Sequence, residues 1–306
     1  MKKISIGLIL IFVFFLITVY LLIPGRSSIS ATTTIKAASP GVFRALSQTD
    51  NWKKFWPGDT PFKLEDETYL IKESSYNVLR VDIGNASDTI ISTINILPIK
   101  PDSLTIQWTA AQENSMNPFR RVAQYRKALA LEKNLEKIIA QVQEFMEVPK
   151  NIYGIDIKNT IVTDSVLVTT RRQFDHQPSL GDIDGMIQSL KKYIAEYKAV
   201  EKNYPMLNIP SPGSSPNLVM TAIAVDRELP ATKEFVPKFL LKGGNILETE
   251  VKGGPYTIEN AFRELENYRL DLKYGSPAIP YQLLVTDRMK ETDTSMWITK
   301  LYYPVF

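Results

Sequence analysis

The chain has no cysteine and only one histidine, His176. The first absence removes disulfides, thiol nucleophiles and thiolate metal sites. The second leaves no material for a Ser–His triad or a multi-histidine metal centre. Charge of one sign is also missing: 36 Lys and Arg face 33 Asp and Glu, for a net charge of +3. No strong field follows, so neither nucleic acid nor an acidic partner is expected. The phosphate-loop spacing G-x-x-x-x-G-K-[ST] is absent, and neither a low-complexity tract nor a short-period repeat is found. What remains is an ordinary globular composition, 44% hydrophobic, which is enough to bury a core. A length of 306 residues predicts two domains.

Against these absences stands one long apolar run. Ile4 to Ile23 carries no charge, Lys2 and Lys3 precede it, and Pro24-Gly25-Arg26 follows. A helix of about 20 residues crosses the hydrocarbon core of a bilayer. The run therefore predicts a single-pass transmembrane anchor over residues 1–26. Its N-terminus would be cytoplasmic, because basic residues stay inside, and the body would lie outside, periplasmic or extracellular. A cleaved signal peptide is the alternative, with Ser28-Ile29-Ser30-Ala31 as its cut, although such cores usually run to about 7–15 residues. The lack of a lipobox cysteine excludes a lipoprotein.

Residues 25–34 are small and polar, and read as a tether or the approach to a first strand. Ser39–Leu46 fits a short helix, with Ser39 capping and Pro40 in the first turn. Thr68–Lys72, Asn77–Asp82, Thr89–Leu97 and Ser103–Ala110 are rich in β-branched and aromatic residues and read as strands. A long helix follows over 118–148, roughly 45 Å if straight. Asn117 is its N-cap, Pro149 its stop, and Leu135, Ile138, Ile139, Val142, Phe145 and Met146 its apolar stripe.

The second half reads as an internal duplication. Strand 160–170, helix 182–200 and strand 218–225 form one unit. Strand 239–251, helix 258–273 and strands 281–286 and 295–303 form the other. Thr257 is the expected cap of the second helix and Gly275 its terminator. Tyr204–Pro216 reads as a long loop.

Two family resemblances emerge from these residues. Ser39-Pro40-Gly41-Val42-Phe43-Arg44-Ala45-Leu46, then Trp52-Lys53-Lys54-Phe55-Trp56-Pro57-Gly58, with the long helix 118–148, resemble the START-like (SRPBCC, polyketide cyclase/dehydrase) superfamily. That resemblance covers about 35–150. It implies an antiparallel sheet gripping a long helix, with a cavity between them. Val251-Lys252-Gly253-Gly254-Pro255-Tyr256 and the closing segment Trp297–Val305 resemble the GyrI-like, or AraC-type effector-binding, domain over about 152–306. It implies two strand–helix–strand repeats around a small-molecule cup. The family commonly carries a glutamate on the last strand, four residues before the terminal proline, that meets cationic ligands. Lys300 stands there instead, so cation binding and the hydrolysis of some relatives are not carried over. No helix-turn-helix precedes the domain, so the transcription-factor role is not carried over either.

The expected fold class is α+β. It comprises an N-terminal transmembrane helix, a helix-grip antiparallel sheet with a long C-terminal helix, and a duplicated strand–helix–strand effector-binding domain. The expected domains are the anchor 1–26, a START-like domain 27–150 and a GyrI-like domain 151–306.

Tyr256, Tyr281, Lys300 and Tyr302 are the candidate ligand-binding residues of the second cavity, and Trp52 and Trp56 those of the first. Lys300 and Tyr302 share one strand face, with Trp297 opposite, where it is read as core. Gly253 and Gly254 read simply as a turn. His176 reads as a loop histidine, and Asp182 and Asp184 as macrodipole partners rather than metal ligands. No catalytic residue, metal or cofactor is assigned. The expected function is a membrane-anchored, non-catalytic sensor or carrier of a small, partly apolar ligand, with no nucleic-acid partner. The alternatives are a hydrolase or cyclase-like enzyme using the cavity, and a structural interaction module of the envelope.

Overall fold

The computed structural model describes residues 2–59, 61–85, 88–209 and 217–306, and their side chains except at 2–6, 8, 9, 85 and 217. The chain divides into two compact units, Met1–Val148 and Pro149–Phe306. Both are α+β, each built on an antiparallel sheet.

The first unit opens with helix α1 (Lys2–Leu22), strand β1 (Arg26–Ile35) and helices α2 (Ser39–Ser47) and α3 (Thr49–Trp52). Strands β2 (Lys63–Leu64), β3 (Glu67–Ser75), β4 (Val78–Asn85), β5 (Asp88–Lys100) and β6 (Ser103–Glu113) follow, then helix α4 (Pro118–Met146). The sheet order is β1-β6-β5-β4-β3-β2, so the unit's first strand pairs with its last. Residues 25–34, expected as a tether or the approach to a strand, are almost wholly β1. Ser27, Ile29, Ala31 and Ile35 point inward on alternate positions, which makes this polar-looking stretch half core.

Helix α4 presents Leu131, Leu135, Ile138, Ile139, Val142 and Met146 as its buried stripe. Asn117 caps it, its Oδ1 accepting from the Phe119 and Arg120 amides at 3.0 and 3.1 Å. Ser39 is not the cap of α2: that position falls on Ala38, and Ser39 is already helical.

The membrane anchor does not stand. Among the described residues, no helix is long and apolar enough to cross a membrane. The run Ile4–Ile23 has the length of a span. Part of that stretch is already engaged by α4. Phe15 stacks on Phe119, Tyr20 donates to the Met116 carbonyl, and Arg121 lies over the Tyr20 ring while donating to the Ile23 carbonyl. The single-pass topology, the membrane as partner and the placement of the body outside the cell all rested on that span and are withdrawn with it.

The second unit contains helix α5 (Pro149–Tyr153), strands β7 (Lys158–Ile161) and β8 (Val166–Phe174), helix α6 (Leu180–Glu196), and strands β9 (Met206–Asn208), β10 (Asn217–Ala224), β11 (Val236–Phe239) and β12 (Asn245–Lys252). Helix α7 (Pro255–Asp271) and strands β13 (Tyr281–Leu284) and β14 (Ile298–Pro304) complete it. The sheet order is β11-β8-β10-β9-β13-β14-β12-β7, antiparallel at every step. Helix α6 buries Ile183, Met186, Ile187 and Leu190, and α7 buries Ile258, Ala261 and Leu265 beside Trp297 and Leu301.

Two continuous strands of the sequence reading are each broken in two. Residues 160–170 split at Val162–Ser165, so β7 pairs with β12 while β8 pairs with β10 and β11. Residues 239–251 split at a turn where Gly243 takes φ 78°. The stretch Tyr204–Pro216 is not all loop, because β9 lies within it and bridges β10 to β13; residues 210–216 lie outside the described residues. The second helix starts earlier than expected, with Gly254 as its N-cap in place of Thr257.

Candidate functional site

Three neighbouring strands of the second unit place three side chains in one transverse row. Glu248 on β12 is directly opposite Tyr302 on β14, and Tyr302 is directly opposite Tyr281 on β13. Directly paired residues project from the same sheet face, so the row is a consequence of register alone. The two phenol rings stack, with centroids 5.1 Å apart and planes 19° from parallel.

The row lines an open cavity of about 120 Å3. Met206 and Leu283 supply apolar wall, and the segment Thr160–Asp164 supplies the rim with Asn203. Asn203 donates to Asp164 Oδ2 at 2.8 Å and fixes that carboxylate. Burial pushes both phenols above their usual range, and the nearby carboxylates add to it: Asp164 then Glu248 for Tyr281, and Glu248 foremost for Tyr302. Both tyrosines are therefore neutral at pH 7 and keep a hydroxyl proton to donate.

Lys300 sits on the same face as Tyr302, one pleat away. Its Nζ lies 3.2 Å from Glu248 Oε1 and 3.9 Å from Glu250 Oε2. Its charge is thus spent on the strand beside it, and it does not line the cavity.

The other candidates lie elsewhere. Tyr256 is in the first turn of α7, 80% exposed and away from the cavity. Trp297 is buried in the α7 core, on the face opposite Lys300. Trp52 and Trp56 belong to an aromatic nest in the first unit with Phe55, Phe62, Tyr69 and Trp108. Trp52 Nε1 donates to the Leu46 carbonyl at 2.8 Å and Trp56 Nε1 to that of Lys63 at 3.1 Å, so both indoles are committed to packing.

Glu248, Asp164 and Asn203 were missed by the sequence reading. The signal for Glu248 was the alternation Ile246, Glu248, Glu250 on a strand running beside Lys300. Asp164 was concealed by the break in what read as one strand.

His176 bridges two carboxylates, 2.7 Å from Asp175 Oδ1 and 3.3 Å from Asp182 Oδ2. Asp182 is also half of a capping box with Ser179 at the start of α6. Among the described residues, no group of three or more His, Asp or Glu side chains is placed to hold a metal ion.

No protein-family model matches the chain, and no curated protein matches it. Solved structures do. The EcmrR–DNA complex is similar over 63% of this chain and 72% of its own, at 14% identity and a TM-score of 0.43. The EcmrR C-terminal domain is similar over 50% of this chain and 98% of its own, at 13% identity and a TM-score of 0.42. A norcoclaurine synthase point mutant from Thalictrum flavum, solved with a transition-state analogue, is similar over 40% of this chain and 94% of its own, at 12% identity and a TM-score of 0.31. Likeness this distant transfers neither ligand nor reaction. The expectation of no nucleic-acid partner is withdrawn, because one similar protein was solved on DNA; that DNA belongs to that protein.

Proposed function

We propose that the chain is a non-catalytic small-molecule-binding protein of two tandem modules, START-like over 27–150 and GyrI-like over 151–306. The ligand's seat is the cavity beside Tyr281 and Tyr302. One observation supports this reading above the others: the cross-strand row Glu248–Tyr302–Tyr281 opens onto a cavity instead of closing into core. A stacked aromatic pair offers a flat apolar platform, and a few polar groups orient what lands on it. The polar groups here are the two phenol hydroxyls and the carboxylates of Glu248 and Asp164. Carboxylates repel anions, so the fitting ligand is neutral or cationic, small and partly apolar. Lys300 tempers Glu248 without entering the cavity.

The test is native mass spectrometry of the gently purified full chain, together with thermal melting against a panel of small aromatic alcohols and ammonium compounds. A bound small molecule, or a raised melting temperature, that is lost in both Tyr281→Ala and Tyr302→Ala supports the reading. Binding undiminished in both variants, or melting unmoved by every compound together with a bare mass, overturns it.

A further inference from the structure

A second cavity, of about 190 Å3, lies in the same unit. It is built from the other side of β13: Leu283 borders the first cavity and Leu284 the second, as alternation along a strand requires. Helix α6 contributes Ile183 and Ile187 to its apolar wall, and Pro205 joins them. The loop after β13 brings in the guanidinium of Arg288.

That guanidinium has no carboxylate partner among the described residues. It lies over the Trp297 ring, 4.8 Å from the centroid, and its Nη2 donates to Gln282 Oε1 at 3.2 Å and Thr299 Oγ1 at 3.0 Å. All three partners are uncharged. Its Nε and Nη1 are left without a hydrogen bond among those residues. Two carboxylates also line the cavity, and both are engaged close to home. Asp184 accepts from Gln188 at 3.1 Å, and Asp287 pairs with Lys290 at 3.4 Å. Lys191 adds a second cation to the lining. Burial alone draws the Arg288 side chain down to about 10, still charged at pH 7. A desolvated cation is costly until an anion meets it, and a free guanidinium N–H gives a carboxylate a charge-assisted hydrogen bond.

We propose that this cavity is a second ligand site, which takes a small organic carboxylate. The carboxylate accepts from a free N–H of Arg288, at Nη1 or Nε, and the apolar body lies against Ile183, Ile187 and Leu284. The two cavities of the unit then sort ligands by charge, with carboxylates lining the first and a guanidinium in the second. The second site stands independently of the first, since different side chains of opposite strand faces build them.

The probe is benzoate, with benzamide as its uncharged counterpart of the same shape, titrated calorimetrically into the full chain. The expected result is benzoate binding at least about tenfold tighter than benzamide, as a charged hydrogen-bonding pair requires. Arg288→Gln should lose that preference. Gln188→Trp, at an exposed α6 position bordering the cavity, should block benzoate while leaving Arg288 in place. The second variant decides the matter if the first fails to fold. Tyr302→Ala should leave benzoate binding unchanged, which separates this site from the first cavity. Equal binding of benzoate and benzamide, no benzoate binding up to about 10 mM, or full benzoate affinity in folded Arg288→Gln or Gln188→Trp overturns the proposal.

Discussion

Lys300 and Glu248 meet at 3.2 Å across β14 and β12, although the register sets Lys300 opposite Glu250 and Glu248 opposite Tyr302. The diagonal contact is the shorter one, and it holds the Glu248 carboxylate at the edge of the tyrosine pair. Lys300 thus finds its counter-charge on the neighbouring strand.

Lys300→Glu should therefore destabilise the protein instead of simply retuning a ligand. It would gather three carboxylates where one cation now serves two. The pair is partly exposed, so the expected loss is modest, about 1 kcal/mol. It should shrink as salt is raised, because screening weakens repulsion between accessible charges. Urea melts at low and high ionic strength check this. A loss of the same size in both salts would mean that Lys300 acts through packing alone.

His176 is the chain's one histidine, so a single imidazole resonance reports its titration. Asp175 foremost and Asp182 next hold its pKa above the usual 6.5. The sign is fixed by that direction. Folded-state stabilisation through His176 is fully present below about pH 6.5 and fades as pH rises through the raised value. Asp182 works in the opposite sense. Ser179 foremost, with His176 behind it, pulls its carboxyl to about 2. Its contribution is present above about pH 4 and is lost as pH falls toward 2. An NMR titration should find His176 above 6.5, with Asp175→Asn lowering it more than Asp182→Asn. The reverse order would show that the contact with α6 dominates.

Gly253 takes φ 148°, and a Cβ there would sit 2.6 Å from Thr257 Oγ1 and 2.9 Å from Thr257 Cβ. Backbone strain and the close approach act together at the entry to α7. Gly253→Ala should cost about 1–3 kcal/mol. Thr257→Ser in the same background should recover part of this by removing the methyl from the crowded site. Denaturant midpoints of the single and double variants check both statements, and a neutral Gly253→Ala would show that the turn relaxes freely.

Long periodic segments were legible from sequence. The stripe Leu135, Ile138, Ile139, Val142 and Met146 marks one helix face at period 3.6, and α4 follows it with its Asn117 cap in place. The strand runs over 67–113 were legible for the same reason at period 2. Boundaries that depend on a cap were less so: Ser39 and Thr257 are good caps by type, yet the chain enters α2 and α7 one turn or less ahead of them. A pattern of burial does not say where the backbone changes direction. The charge-free run Ile4–Ile23 read as a span because sequence carries no record of α4 lying against Phe15 and Tyr20.

The site shows the same division. Sequence alone determined that this chain has no thiol chemistry, no histidine cluster and no strong net field, because these follow from counting residues. It also determined the face of β14 shared by Lys300 and Tyr302, since alternation is local geometry. Only the tertiary structure decided what meets that face. Strand order and register set Tyr281 on one side of Tyr302 and Glu248 on the other, and they place Leu284, Gln282 and Thr299 on the far side with Arg288. Those neighbours are separated by up to 54 positions in the chain, Glu248 to Tyr302. No local propensity encodes such a pairing; it is settled by which long-range register buries the most apolar surface while satisfying every strand's hydrogen bonds.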